Sequence, residues 1–443
     1  MITASVINRR QFLKTSGATL AALYGLNYLD PSAAQAGDEI RFLTVISYIP
    51  SSDVELKKQA AVFSKEKGVG INIETIAHLQ LPAKVASQVH AKSGHDIVAL
   101  GPGAAELYKD LLADVSELAE ELGKAYGGWY EFAKDMSMVN GKWKTVPWWY
   151  FAYPLVVRSD LLKEVGESKI DTYDDLLRVG KKLKVRGHPV GIALGHCIDA
   201  TISCHCVLGA FGGRYVAEDS KTIVIDSAET ARALEYMKKL FEEAMEPAVL
   251  SWDDAGNNRH MLSGRGSVTI NSTAIYCLAR DKKMMLDNKP LAELLDHYVP
   301  PQGPAGYCSY APSACLGIWN FAKNISGAKE FLRYHISREN FNNWITAGQG
   351  YNMPMLKEFE KNPVWDADPK YKFVKEYGPT MHIQGWPGKP TMYSNIVTNL
   401  YIVPDMFAAV ATGKKSVPEA IKWAEKEIKQ VYAGEKKARP QKG

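Results

Sequence analysis

Between residues 39 and 103 the chain alternates β-branched apolar runs with amphipathic ones, and that rhythm restricts the fold more than any other feature. "EIRFLTVIS" (39–47) reads as a buried strand. "SSDVELKKQAAVFSKEKG" follows as a helix, with Ser51 or Ser52 as cap, Asp53 and Glu55 in the first turn and Gly68 as the stop. "VGINIETI", "LPAKVASQVHAKSG" and "HDIVALGPG" continue as strand, helix and strand. This βαβαβ order predicts an α/β fold with a mostly parallel, doubly wound sheet.

The rhythm returns after residue 153. "PLVVRSDLL" is strand-like, "DTYDDLLRVGKKLKVRG" a capped helix, "PVGIALG" a strand, "DSAETARALEYMKKLFEEA" a helix and "GSVTINSTA" a short strand. Two such units without a flexible linker predict two lobes with a cleft between them. Ligands of open α/β sheets bind beyond the carboxyl ends of the strands. Ser47 to Ser52, Gly101 to Ala104 and Asn271 to Thr273 are therefore expected as cleft walls.

The N-terminus follows a different logic. Arg9, Arg10, Phe12, Leu13 and Lys14 precede a short apolar run and an "AQA" cleavage pattern, Ala34 to Ala36, as in a twin-arginine export signal. Asn8 stands where Ser or Thr is commoner. No later run reaches the ~20 apolar residues of a membrane span, so a soluble, exported mature protein is expected. Removing Arg9, Arg10, Lys14 and Asp30 takes the net charge from +4 to +2, which implies no polyanionic partner. Nucleic acid is not expected.

An oxidising compartment permits disulfides, and Cys308 and Cys315 flank a Pro-containing loop that allows pairing. Cys197, Cys204 and Cys206, with His196 and His205 nearby, read as buried helix residues rather than as a metal site: along one helix Cys197 and Cys204 stand ~10 Å apart.

"GKWKTVPWWYFAY" (141–153) concentrates Trp143, Trp148, Trp149, Tyr150, Phe151 and Tyr153. Rings supply contact area with polar handles for a small-molecule site, or fill a core. Strand alternation points Trp148 and Tyr150 one way and Trp149 and Phe151 the other, leaving open which pair faces a ligand. No phosphate loop, zinc helix or nucleophile elbow is present. Asp253 and Asp254 beside Trp252 are a poor acid–nucleophile pair, because adjacent residues point in different directions. No catalytic residue, cofactor or metal is expected.

Four segments in order, "NGKWKTVPWWYFAYPLVVRSDLLKEVG", "IDTYDDLLRVGKKLK", "MLSGRGSVTIN" and "GAKEFLRYHISRENFNNWITAGQGYNMPM", resemble the extracellular solute-binding proteins of ABC importers, in the group dominated by sugar binders. The resemblance implies a two-lobe periplasmic-binding-protein fold with discontinuous lobes and a ligand cleft at the hinge. It assigns 1–36 to the signal, 38–150 plus 297–322 to lobe I, 151–296 plus 323–433 to lobe II, and 434–443 to a solvated tail. Crossings between lobes are implied near Tyr150–Pro154, His297 and Asn320–Ser326. Implied ligand contacts are Trp148, Trp149, Tyr150, Trp252, Asp253, Asn257, Asn271, Tyr351, Asn352 and Trp386. Ala274 replaces the ring often found after "IN", which counts against a long oligosaccharide and leaves room for a smaller or more polar solute. The implied function is that of a monomeric periplasmic receptor that captures a small polar solute, a carbohydrate first, and hands it to inner-membrane permease subunits. The alternatives are an exported polysaccharide-active enzyme, or a receptor for a polyol phosphate, an amine or a metal chelate.

Overall fold

The computed structural model describes residues 39–436. The signal read at 1–36 and positions 437–443 of the tail lie outside them. Nine strands and ten helices position the site. They are β1 Ile40–Val45, α1 Pro50–Lys67, β2 Ile71–Ile76, α2 Leu81–Ala91, β3 Ile97–Leu100, β4 Val146–Tyr150, β5 Leu155–Arg158, α3 Tyr173–Val185, α4 Ile198–Ala210 and α5 Ala228–Ala244. The chain continues through β6 Val268–Ile270, β7 Leu295–Tyr298, β8 Ser313–Ile318, α6 Ile325–His335, α7 Arg338–Ala347, β9 Met353–Pro354, α8 Met392–Asn399, α9 Ile402–Ala411 and α10 Val417–Tyr432.

The opening βαβαβ unit forms as the periodicity predicts, with β1 parallel to both β2 and β3. Helix α1 begins earlier than its serines suggest. Pro50 occupies the first turn, where its fixed φ suits a helix and its missing N–H costs nothing, and no side chain caps the end. Gly68, at φ 70°, closes the helix by donating to Ser64 O. The inner face of α1 (Leu56, Ala60, Phe63) packs towards Phe42 of β1 and Phe331 of α6. Each such phenylalanine contributes about 1.5–3 kcal/mol by leaving water.

The sheet is less parallel than expected. In the order β9-β4-β8-β3-β1-β2, the pairings β3–β8, β8–β4 and β4–β9 are antiparallel. The second sheet, β7-β5-β6, is antiparallel throughout. "PVGIALG" forms no strand: Gly191 N–H and Leu194 N–H bond to Val268 O and Val249 O as an irregular segment.

The chain passes from the first sheet to the second between β4 and β5, at 151–154, and returns between β7 and β8. No crossing occurs near 320–326. Helices α6 and α7 pack on α1, and β9 pairs with β4, so residues 325–354 stay with the first core instead of joining lobe II. The apolar faces of these helices are cut to fit α1, which local sequence does not announce. The second core gathers α3, α4, α5, α9 and α10 around Leu176, Val179, Met237, Leu240 and Phe407. Thr172–Asp175 and Ser416–Glu419 capping boxes start α3 and α10.

The two halves meet where α8 begins. Met392 N–H donates to Glu106 Oε2 at 3.0 Å and Asn395 Nδ2 to Pro102 O at 3.0 Å. Gly103, at φ 81°, lets the backbones close: a Cβ there would lie 2.3 Å from Thr391 O. No helix among the described residues is long and apolar enough to cross a membrane.

Candidate functional site

The aromatic run enters the cleft because β4 is bulged. Ala314 pairs with Trp149 and Cys315 with Pro147, which leaves Trp148 as the extra residue. A bulge breaks strict alternation, and the consecutive rings Trp148 and Trp149 both line one cavity. Trp149 stacks on Phe151 with centroids 4.1 Å apart, and Phe151 stacks on Tyr351, again at 4.1 Å. Trp148 is held from behind: Nε1 donates to His335 Nε2 at 3.0 Å and its ring stacks on Trp344 at 5.2 Å. Tyr150 turns into the core, edge-on to Phe132.

The opposite wall is acidic and belongs to the second half. Helix α4 starts at Cys197, whose Sγ accepts from Ala200 N–H. Asp254 Oδ1 accepts the Ile198 N–H at 2.6 Å, so a carboxylate sits at the positive end of the helix. Behind it Asp199, buried, accepts from Tyr153 Oη at 2.7 Å and from Asn271 Nδ2 at 3.3 Å. Burial, then the charge of Asp254, raises the Asp199 pKa; burial likewise raises that of Asp254, against the pull of the Ile198 N–H and of His78.

First-half groups face this pair. Tyr48 is pushed up to about 12, first by desolvation and then by Asp254. His78 keeps solvent access, yet the protein around it lowers its pKa while Asp254 opposes the shift. Asp53 takes the Ser47 N–H at 3.0 Å, and desolvation raises its pKa. The enclosed space is about 50 Å³, lined by these residues together with Ser52, Ile198, Pro312 and Asn352. It adjoins a chamber of about 140 Å³ that shares His78, Ile198 and Pro312 and continues along Gly101, Ser313, Gln384 and Asn395. Among the described residues no group of three or more His, Cys, Asp or Glu side chains is arranged to hold a metal ion.

Residues 58–373 match the family model described as bacterial extracellular solute-binding protein. The chain belongs to that family. A relative named probable ABC transporter-binding protein, from Deinococcus radiodurans, is 25% identical over 209 residues, 44% of this chain and 48% of that relative. The chain thus spans about half the length of the curated relative that it matches. Solved structures match the fold more widely. The maltose-bound MalE3 of T. maritima superposes with TM-score 0.74 at 20% identity, over 89% of this chain and 99% of that one. An Arthrobacter chlorophenolicus sugar transporter with bound laminaribiose gives 0.75 at 18%, with the same coverage. A Thermotoga lettingae solute-binding protein bound with α-D-tagatose gives 0.76 at 17%, again with that coverage. The fold is therefore the two-lobe one of these binding proteins.

Within this family fold, four of the residues expected at the ligand line the cavity: Trp148, Trp149, Tyr351 and Asn352, the last donating to Ser52 Oγ at 2.9 Å. Asn271 and Asn257 form a layer behind. Asn271 Nδ2 also reaches Asn258 Oδ1 at 2.6 Å. Asn257 Nδ2 finds no partner at hydrogen-bond distance, but lies near enough to Asp199 to lower its pKa. Tyr150, Trp252, Asp253 and Trp386 lie elsewhere. Trp252 packs on His260 and, with Asp253, Asp405 and Trp423, lines a separate groove. Asp253 pairs with Arg259 at 2.6 Å. Trp386 is sandwiched between His382, at 3.8 Å, and the Arg214 guanidinium, at 3.7 Å.

Tyr48 falls in the Ser47 to Ser52 stretch expected as a cleft wall, whereas sequence reading missed Asp53, His78, Tyr153, Asp199 and Asp254 as site residues. The signal available for Asp199 was an acidic residue in the first turn of a helix that is otherwise uncharged and is buried on all sides. Asp254 was legible only as the neighbour of Asp253. The cysteines are free and buried; Cys308 sits in the second core and Cys315 in the first, so they do not pair.

Proposed function

We propose that the chain is the periplasmic receptor of an ABC importer, that it captures a small polar solute, a carbohydrate first, between its lobes, and that it presents the closed form to permease subunits. The Trp149–Phe151–Tyr351 ring stack facing polar groups of the other half carries this reading. Such a wall offers a flat apolar surface for a sugar face, while Asn352, Tyr48 and the carboxylates offer partners for hydroxyls. The maltose, laminaribiose and tagatose bound by fold relatives support the same solute class. The closure mechanism is that of hinged binding proteins generally, in which ligand stabilises the closed form by its differential affinity. A micromolar affinity needs about 8 kcal/mol. The receptor works as a monomer after removal of its export signal and performs no chemistry on its cargo.

A thermal-shift screen of the mature protein against sugars and polyols tests this. Ligand at a hundredfold excess over Kd adds about 2.7 kcal/mol of apparent stability. A rise with one solute class and no product supports the receptor; turnover of a glycan without stable binding refutes it.

A further inference from the structure

The charge pattern of the cleft is one-sided. Asp53 comes from the first half and Asp254 from the second; both line the aromatic chamber, and Asp199 stands directly behind Asp254. No Lys or Arg lines that chamber. Elsewhere acidic side chains find cations, as Asp253 finds Arg259 and Glu246 finds Arg265 at 2.5 Å. Among the described residues no ion pair includes Asp53, Asp199 or Asp254. His78, which lines the chamber, is held towards its neutral form, and the Lys57 charge acts on Asp53 from outside the lining. Carboxylates taken out of water without a counter-ion are costly, and ring faces attract cations.

The adjoining chamber is different. Ser313 Oγ and Gln384 Oε1 line it, buried and without any hydrogen-bond partner, and Ser313 is 7% exposed. Buried polar atoms of this kind are rare unless something binds them. Both accept from hydroxyls.

We propose that the cargo is a hydroxylated solute bearing a protonated amine, an amino sugar or amino polyol, with the ammonium between Asp254, Asp53 and the rings, and with hydroxyls on Ser313 and Gln384. This rests on the receptor reading above and narrows its solute class. The ammonium supplies the charge that the chamber lacks; a neutral sugar of the same shape leaves both carboxylates unpaired.

Titration calorimetry on the mature protein with glucosamine, N-acetylglucosamine and glucose, each as mono- and disaccharide, and with spermidine as a hydroxyl-free amine, separates the possibilities. The amino form is expected to bind at least tenfold tighter than its acetylated and hydroxyl counterparts. Asp254→Asn should weaken the amino form at least tenfold more than the neutral ones; Asp53→Asn reads the same contrast should the first variant fail to fold. Equal or tighter binding of the neutral members overturns the ammonium assignment and leaves the sugar receptor standing. Binding of spermidine with no sugar keeps the cation site and overturns the carbohydrate reading. Binding of none overturns both.

Discussion

Tyr153 Oη donates to Asp199 Oδ1 at 2.7 Å, joining the segment where the chain leaves the first sheet to the start of helix α4. Both groups are buried, so the bond is made where water cannot replace it. Tyr153→Phe should cost about 1–3 kcal/mol of stability, the penalty for a buried acceptor that loses its donor. Denaturant titration checks this; a change within error would mean that Asp199 finds another donor.

The same carboxyl makes stability depend on pH. Its folded pKa is raised above the unfolded value, so the folded state holds the proton more tightly. The contribution is fully present below the ordinary carboxyl range and is lost as pH climbs from there through the raised folded value. Asp199→Asn should remove this descending part of the profile. Melting temperatures of both proteins from pH 4 to 9 provide the comparison, and parallel profiles would refute it.

Gly103 sets how closely the halves approach. Alanine there meets Thr391 O at 2.3 Å and a φ of 81° that side chains disfavour. Gly103→Ala should cost about 1–3 kcal/mol in strain and push the start of α8 away from Pro102. We expect solute affinity to fall at least tenfold and small-angle scattering to show a more extended particle. An unchanged scattering profile would show that this contact does not govern closure.

The ring stack depends on its middle member. Phe151→Leu removes the surface that both Trp149 and Tyr351 lie against at 4.1 Å. Solute affinity should drop by about 0.5–1.5 kcal/mol, in line with aromatic pair energies. Trp252→Ala and Asp253→Asn, in the separate groove, should leave affinity unaltered. The Asp253–Arg259 pair is exposed, 62% and 63%, and such pairs contribute under about 1 kcal/mol. Calorimetry on the three variants orders them; a larger loss in the groove variants would relocate the site.

All six thiols are free and buried. A thiol reagent should therefore label few cysteines in the native protein and six after denaturation without reductant. Fewer than six would reveal a disulfide.

The sequence by itself determined the local elements. Period-two and period-3.6 patterning, with a cap at Thr172 and stops such as Gly68, placed most strands and helices, because these signals act over a few residues. The family was legible in four ordered segments, and of the residues that the resemblance implied at a ligand, Trp148, Trp149, Tyr351 and Asn352 line one cavity. Tertiary structure decided the rest. "PVGIALG" carries strand composition, yet its N–H groups pair irregularly with Val268 and Val249. Trp148 reaches the cleft beside Trp149 only through a bulge opposite Ala314 and Cys315. Tyr48, His78, Asp199 and Asp254 are scattered over the chain, and no spacing rule links them. Their charges act on one another because folding brings them to one cleft and removes the water that would otherwise screen them.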